Sequence, residues 1–260
     1  MNVATLPAAL AGVSEQEWQI RCDLAALYRL VAHHRWTDFV YTHLSARLPG
    51  PDHHFLINRY GVLFHEMRAS DLVKIDLHGS VVEEGDISSR RVNAAGFTIH
   101  SAVHMARPDL MCVVHTHTQA GIAVSAMREG LLPLSQHALK FYGRIAYHGY
   151  EGIALDLDER ERLVNDLGPE HKAMILRNHG LLVGGSSIPE AFHMIYMLER
   201  ACAAQVAALS CGREILLPPG EVCAHTSEQF RKSEGDAAHY EMVWDAALKL
   251  IEDGKPDYRG

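Results

Sequence analysis

The sequence predicts a single α/β domain. Short apolar, β-prone runs alternate along the chain with segments whose apolar residues recur at helical spacing. No low-complexity linker and no internal repeat separates these segments. The 260 residues can bury a sizeable core. Strands and helices that interleave without a break in composition are typical of one α/β unit.

The expected elements follow from these patterns, starting at the N-terminus. Residues 1–13 carry little pattern and are expected to form an N-terminal arm. Ser14 and Glu17 have the spacing of a capping box, which predicts a helix that begins there and ends near His34. Strand patterns and turn residues then predict two β-hairpins, over 39–58 and 72–83. Further helices are expected at 91–105, 119–128, 156–167 and 188–210, strands at 110–114 and 173–176, and a last helix within 227–252, in a C-terminal helical extension over 214–260.

Composition excludes several classes of partner. The formal net charge is −8 and the chain has no cluster of lysine and arginine, so we expect no binding to nucleic acid or to anionic membranes. No apolar run is long enough for a transmembrane helix, and the first residues lack the basic region of a signal peptide. Five widely spaced cysteines without a Cys-x-x-Cys motif indicate reduced thiols in a cytoplasmic protein.

A pair of histidines follows the apolar run Leu110–Val114. In a strand, the side chains of residues i and i+2 share a face, so His115 and His117 are expected to point the same way and Thr116 the other way. A second apolar run, Ala173–Leu176, leads to His179. Three neutral imidazoles that converge from strand ends can hold a divalent metal with positions left open, as in a catalytic site.

The alternative is that the pattern arose by chance. The chain has 18 histidines, so pairs at this spacing can occur by accident, and Gly180 can serve only a turn. The surrounding residues favour the metal site. The strings Ala-Arg-Pro-Asp (106–109), Val-Val-His-Thr-His-Thr (113–118) and Leu-Arg-Asn-His-Gly-Leu (176–181) resemble the class II aldolase/adducin family. The similarity extends over residues 15 to 215.

This resemblance implies a fold and a cofactor. The fold is one three-layer α/β/α domain with a central, mainly antiparallel sheet. The matching histidines, His115, His117 and His179, would hold a divalent metal, with zinc first and manganese or iron(II) as alternatives. Members of the family usually form cyclic tetramers with sites between subunits, so we expect a homotetramer.

The sequence departs from the sugar-phosphate aldolases of the family at two places. Those enzymes carry a metal-binding glutamate, which acts as the base, eleven residues before the arginine of Arg-Pro-Asp, and here that position is Gly96. A glycine can neither bind a metal nor move a proton. The Asn-x-Ala-Gly-Phe string around it resembles the adducin-like branch. Their phosphate-binding Gly-Asn-x-Ser loop is replaced by Thr42–Ser45, which predicts a substrate without phosphate.

Other residues are therefore expected to bind the substrate and to move protons. A carboxylate-bearing substrate needs a positive or hydrogen-bonding partner, for which we consider His43, Ser45, Arg59 and Arg177. An ion pair at the surface is the alternative for Arg177. His100 lies four residues beyond Gly96 and four before His104 on one helix face, and it can reach towards the metal or pack inside the fold. His137 lies where family members carry a tyrosine-bearing segment that serves the neighbouring subunit. We predict His100 and His137 as catalytic residues.

Three functions are compatible with these features. The first is a metal-dependent lyase, an aldolase or decarboxylase, that acts on a small carboxylated or hydroxylated substrate without phosphate. Its three-histidine metal would stabilise the enolate that carbon–carbon cleavage produces. The second is a non-haem iron(II) oxygenase, since members that resemble this branch include oxidative enzymes. The third is an interaction module without catalysis, like the head of adducin, although all three histidines remain here.

Overall fold

The computed structural model describes residues 13–82, 91–153, 157–252 and 257–260. The N-terminal arm expected at residues 1–13 lies outside these ranges, except for Val13. Residue 83 of the second predicted hairpin and residue 156 of the helix predicted at 156–167 also lie outside them. In the described part of the chain, no helix is long and apolar enough to cross a membrane.

Eight helices and seven strands are found in the described ranges. The helices are α1 (Glu15–His33), α2 (Ala94–Ala106), α3 (Gln119–Ser125), α4 (Gln136–Leu139), α5 (Glu159–Leu167), α6 (Ile188–Ser210), α7 (Gly220–Ser233) and α8 (Ala237–Leu248). The strands are β1 (His43–Arg47), β2 (Phe55–Asn58), β3 (Leu72–Ile75), β4 (Cys112–Thr116), β5 (Ala146–His148), β6 (Ala173–Leu176) and β7 (Gly180–Gly185). Two short 3-10 helices, Phe64–Glu66 and Ala69–Asp71, precede β3.

The seven strands form one sheet in the order β3-β2-β1-β4-β7-β6-β5. Every neighbouring pair is antiparallel except β5 and β6, which are parallel. The mainly antiparallel sheet that the family resemblance implied is confirmed. β4 and β7 lie side by side at the centre, so the two chain segments that carry the predicted metal ligands are neighbours.

Helices cover both faces of this sheet. α1, α3 and α6 pack on one face, and α2 and α5 pack on the other. Alternation along the strands divides the apolar side chains accordingly. Val114 faces the larger core beneath α1 and α6, whereas Val113 faces the smaller core beneath α2 and α5. His115 follows the same alternation as Val113 and therefore faces the α2 layer.

The described structure differs from the prediction at several elements. β7 was not expected, because its Gly-Leu-Leu-Val-Gly-Gly sequence resembles the continuation of a turn more than a strand. Within the described residues, the second arm of the second predicted hairpin pairs with β3 through a bridge between Ile75 and Val81 rather than as a full strand. α8 lies within 227–252, where a last helix was expected, but α7, which begins at Gly220, was not expected. Between the two helices, Gly235 adopts a positive φ of 90° and the side chain of Asp236 caps α8.

Candidate metal centre

The structure brings the three predicted metal ligands together. The ring centroids of His115 and His117 are 4.6 Å apart, and each lies 4.8 Å from that of His179. One ring nitrogen from each residue lies within 4.8 Å of the other two. His115 is buried, whereas His117 and His179 are half-buried, so the cluster opens to one side. Within the described residues, this is the one group of histidine, cysteine and carboxylate side chains with the spacing of a metal site.

His179 is placed by the tight hairpin between β6 and β7. Asn178 adopts a left-handed backbone conformation with φ 55°, which asparagine tolerates better than most residues. At Gly180, a Cβ atom would lie 2.3 Å from the carbonyl oxygen of Thr116. The absence of a side chain there lets the hairpin approach the end of β4, which carries the other two histidines.

Hydrogen bonds at the far side of two rings fix the nitrogens that face the centre. His115 Nδ1 lies 2.9 Å from the carbonyl oxygen of Leu181, which can only accept, so Nδ1 carries the proton. His117 Nδ1 lies 3.0 Å from Oδ2 of Asp38 and donates to it. In the neutral rings, both Nε2 atoms are therefore left with lone pairs. Such outer partners are typical of histidines that bind metals.

The two Nε2 atoms lie 2.8 Å apart and face each other. Two lone pairs at this separation repel, unless a cation lies between them or His117 carries a second proton. Burial and the neighbouring imidazoles hold the pKa of His115 well below its usual range, and burial lowers the pKa of His179 to about 4. Neutral imidazoles are the form that binds metal. The donor set therefore fits a divalent metal that prefers nitrogen ligands.

Glu199 is a buried carboxyl group that sequence reasoning did not assign to the site. It lies on α6 and accepts hydrogen bonds from the hydroxyl groups of Thr116, at 2.5 Å, and Thr118, at 2.7 Å. Both threonines flank His117, so Glu199 holds the end of β4 from the opposite face of the sheet. Alternation along β4 could have pointed to it. The alternation turns Thr116 away from the histidines, and a buried hydroxyl group on that face needs a polar partner.

Two of the predicted functional residues lie in a buried polar cluster beside the metal site. The hydroxyl of Ser45 lies 2.6 Å from His100 Nδ1 and 2.7 Å from His104 Nε2. Ser45 and His100 are fully buried. The structure thus joins Ser45 and His100 to each other behind His43 rather than at the open side, and their predicted roles in substrate binding and catalysis stay predictions.

The two predicted substrate-binding arginines are held by other partners. Arg59 makes an ion pair with Asp71 at 2.9 Å. Arg177 stacks on the ring of Tyr147, 4.3 Å from its centroid, and donates at 2.6 Å to the carbonyl oxygen of Met127. The surface ion pair considered for Arg177 is thus replaced by a stacked, carbonyl-bound guanidinium. Substrate binding by either arginine stays a prediction.

His137 lies in α4, away from the three histidines. In the described ranges, no hydrogen bond and no ring contact joins it to the cluster. Its neighbours on α4 line a separate cleft of about 530 Å³ between α4 and α7. A catalytic role for His137 therefore stays a prediction, and it would require the neighbouring subunit that the family resemblance implies.

Comparison with known proteins agrees with this geometry. The sequence model of the Class II Aldolase and Adducin N-terminal domain matches residues 22–206, which is more than half of the chain. The chain belongs to this family. The matched region contains all three histidines and the complete seven-stranded sheet, so the class II aldolase/adducin fold expected from the resemblance is confirmed.

Three class II aldolase/adducin relatives illustrate the range of the family. A Caulobacter vibrioides protein named "Putative aldolase class 2 protein" is 51% identical over 247 residues, which cover 95% of this chain and 94% of that protein. Alpha-adducin of Rattus norvegicus is 47% identical over 206 residues, 78% of this chain and 28% of that protein. The solved structure of an L-fuculose 1-phosphate aldolase from Glaciozyma antarctica PI12 has 32% identity and a TM-score of 0.80, covering 95% of this chain and 94% of its own.

Proposed function

We propose that this protein is a metal-dependent carbon–carbon lyase, an aldolase or decarboxylase, with a small carboxylated or hydroxylated substrate that lacks phosphate. The observation that carries the proposal is the pair of Nε2 atoms of His115 and His117, which face each other at 2.8 Å while hydrogen bonds hold both Nδ1 atoms. His179 completes a three-nitrogen face. Zinc is the first candidate for this face, with manganese and iron(II) as alternatives.

Each part of the site has a chemical task in this proposal. When bound, a divalent metal supplies positive charge that stabilises negative charge developing on a substrate oxygen. The carboxylate of Asp38 and the carbonyl of Leu181 orient the rings of His117 and His115, so that the three lone pairs converge before the substrate arrives. The half-buried edges of His117 and His179 leave one side open for the substrate.

The absence of phosphate from the substrate is the second part of the proposal. The neighbour from Glaciozyma antarctica is named for a phosphorylated sugar, so a phosphate-free substrate would distinguish this chain from that relative. In this chain Arg59 already forms an ion pair with the Asp71 carboxylate. Arg177 donates a hydrogen bond to a backbone carbonyl and stacks on the Tyr147 ring. A doubly charged phosphate usually needs such cations in a free state. A hydroxy acid or oxo acid needs fewer free cations in the site than a phosphate does.

Two alternatives have support of their own. An all-nitrogen ligand set with open positions also suits iron(II), which would favour an oxygenase. The 47% identity with alpha-adducin favours an interaction module instead. A homotetramer and a cytoplasmic location are further parts of the proposal that rest on the family resemblance and on cysteine usage.

The test begins with metal content. The purified protein is incubated with zinc, manganese or iron(II) salts, desalted, and analysed by plasma mass spectrometry beside the variants His115→Ala/His117→Ala and His53→Ala/His54→Ala. The second variant removes two histidines of a turn far from the cluster in sequence. We expect one zinc or manganese ion per chain in the wild type and in the second variant, and none in the first.

The loaded protein is then assayed for carbon–carbon cleavage of 2-hydroxy and 2-oxo acids. Cleavage that follows the metal content supports the lyase. Selective retention of iron together with dioxygen consumption would replace it with the oxygenase. If no metal binds to the wild type from any of the three salts, the site fails as a metal centre, and the interaction module becomes the better explanation.

A further inference from the structure

His43 is an imidazole beside the metal site that the fold itself leaves without a hydrogen-bond partner. In the antiparallel pairing of β1 and β4, His43 lies directly opposite His115, so the two side chains share the face that is turned towards α2. His43 is 3% exposed, and neither Nδ1 nor Nε2 has a hydrogen-bond partner among the described residues.

Gly96 on α2 makes room for this ring. A Cβ atom built on Gly96 would lie 2.4 Å from Cγ of His43 and 2.5 Å from both Cδ2 and Nδ1. Three ring atoms at nearly the same distance show that the ring lies across the glycine rather than touching it with one edge. Any side chain at position 96 therefore has to displace His43. The space opened by Gly96 is filled by His43, not by His100 and not by empty volume.

The polar cluster behind His43 limits the directions in which it can find a partner. His100 makes an edge-on ring contact with His43, with centroids 6.0 Å apart, and uses Nδ1 to bond Ser45. The single proton of the Ser45 hydroxyl serves only one of His100 and His104, so the other ring must donate to Ser45. Ser45 thereby binds both of these rings, donating to one and accepting from the other. On its other side, His43 lies opposite His115 on β4, so a substrate bound at the three-histidine site comes within its reach.

We propose that His43 is an imidazole that contacts a substrate bound at the three-histidine site, and that Gly96 is required because the His43 ring occupies the space of its side chain. This inference rests on the proposed function. A buried imidazole without a partner costs the fold free energy, and a carboxyl or hydroxyl group of a substrate satisfies it. A neutral ring offers one N–H donor and one lone pair, so it can bind either group.

The first experiment tests the geometry without any metal or substrate. Thermal unfolding midpoints are measured in the presence of a chelator for Gly96→Ala, for His43→Ala and for the double variant. In the wild-type background, the added methyl group clashes with His43, so Gly96→Ala lowers the midpoint. In the His43→Ala background the clash is gone, and alanine is the better helix former, so Gly96→Ala leaves the midpoint unchanged or raises it.

A matched control shows whether an added methyl group by itself changes the unfolding midpoint differently in the two backgrounds. Gly149→Ala adds the same methyl group where no atom lies within 4 Å, and it should act equally in both backgrounds. If Gly96→Ala lowers the midpoint by the same amount with and without His43, the two residues do not share this space and the inference is overturned.

The second experiment tests the contact with a ligand. The protein is loaded with cobalt(II), whose visible absorption reports the ligands of the metal, and is titrated with glycolate, the smallest hydroxy acid. His43→Ala should keep one cobalt per chain and an unchanged spectrum before titration, but bind glycolate about tenfold more weakly, as expected for one lost hydrogen bond. His225→Ala, which removes an exposed histidine of α7, should bind glycolate as the wild type does.

The possible results separate the inference from the proposed function. A cobalt spectrum or stoichiometry that changes in His43→Ala before titration would make His43 a metal ligand and overturn its assignment to the substrate. Equal glycolate affinity in His43→Ala and wild type would overturn it as well. A wild-type protein that takes up no cobalt would instead overturn the proposed function, and this result is visible before any variant is compared.

Discussion

Glu199 is the buried carboxyl group on the opposite side of β4 from the metal-site histidines. Only 3% of the residue is exposed, and its two carboxyl oxygens accept hydrogen bonds from Thr116 and Thr118. Burial raises the pKa of Glu199 to about 7, and the two threonine hydroxyls counteract part of this rise. The folded protein therefore holds this proton more tightly than the unfolded chain does.

A folded-state pKa above the ordinary value makes stability fall as pH rises. Below the ordinary pKa near 4.5, Glu199 is protonated in both states and has no effect; above about 7 it is ionised in both, and the native state bears the full cost of the buried charge. We therefore predict that Glu199→Gln, which keeps the shape and one donor and one acceptor, removes a loss of about 3 kcal/mol between these two pH values. Urea unfolding of the metal-free wild type and variant measures this difference.

The comparison between the two proteins matters because other groups titrate in the same range. The buried histidines with lowered pKa values act in the opposite direction, and they are common to both proteins. Subtracting the two pH profiles isolates Glu199. Parallel profiles between pH 4.5 and 7.5 would show that the carboxyl group has an ordinary pKa in the folded protein.

At the scale of single residues, the sequence predicts ligands better than it predicts their supports. His115 and His117 were predictable because alternation along a strand is local and places both on one face. Asp38 and Glu199 support this end of the strand from 79 and 83 positions away along the chain. No local pattern relates residues so far apart. The same limit explains why the fit between His43 and Gly96 is visible only in the fold.

The hairpin of β6 and β7 is the element that delivers His179 to the site. Gly180 opens β7, and a Cβ atom there would lie 2.3 Å from a backbone oxygen of β4, which cannot move as a flexible side chain can. We predict that Gly180→Ala lowers the free energy of unfolding by about 1–3 kcal/mol, in the range of other overpacked sites. It should also weaken metal binding, because His179 moves with the hairpin. Urea unfolding and competition with a chelator measure the two effects.

Gly220→Ala is a suitable control for this substitution. It adds the same methyl group at the start of α7, where the nearest atom would be 3.5 Å away at ordinary contact distance. Equal stability and metal affinity for Gly180→Ala and Gly220→Ala would contradict the account of the hairpin.

Elements were predicted well where the pattern was long and less well where glycine interrupted it. The predicted bounds of α6, 188–210, are those of the structure, because 23 residues of helical spacing follow the capping residue Ser187. β7 was missed because glycines stand at both ends of a six-residue strand. In the C-terminal extension, α8 lies within the predicted range, whereas α7, which begins at Gly220 and ends before Gly235, was not predicted.

For the whole molecule, the α/β class follows from the interleaved patterns, but the strand order does not. β1 pairs with β4 across more than sixty residues, and β4 pairs with β7 over a similar distance. Such pairings depend on competition among all strands of the sheet, which periodicity does not encode. The antiparallel arrangement was predicted from the resemblance to the family, and the structure and the family match confirm it.

The same long-range pairing makes metal binding a property of the folded molecule. His115 lies on β4, His117 directly follows β4, and His179 lies some sixty residues later, so of these three ligands a local segment of the unfolded chain offers a divalent metal only two. A ligand that binds the native state selectively raises its stability, by about 2.7 kcal/mol at a free concentration one hundred times Kd. For a chain of this length, we predict that zinc raises the unfolding midpoint by about 5–10 °C.

His115→Ala/His117→Ala should show no rise, and magnesium, which prefers oxygen ligands, should have no effect on the wild type. Scanning calorimetry with and without each metal makes the measurement, and an equal rise in the wild type and the double variant would mean that zinc stabilises the fold from some other place.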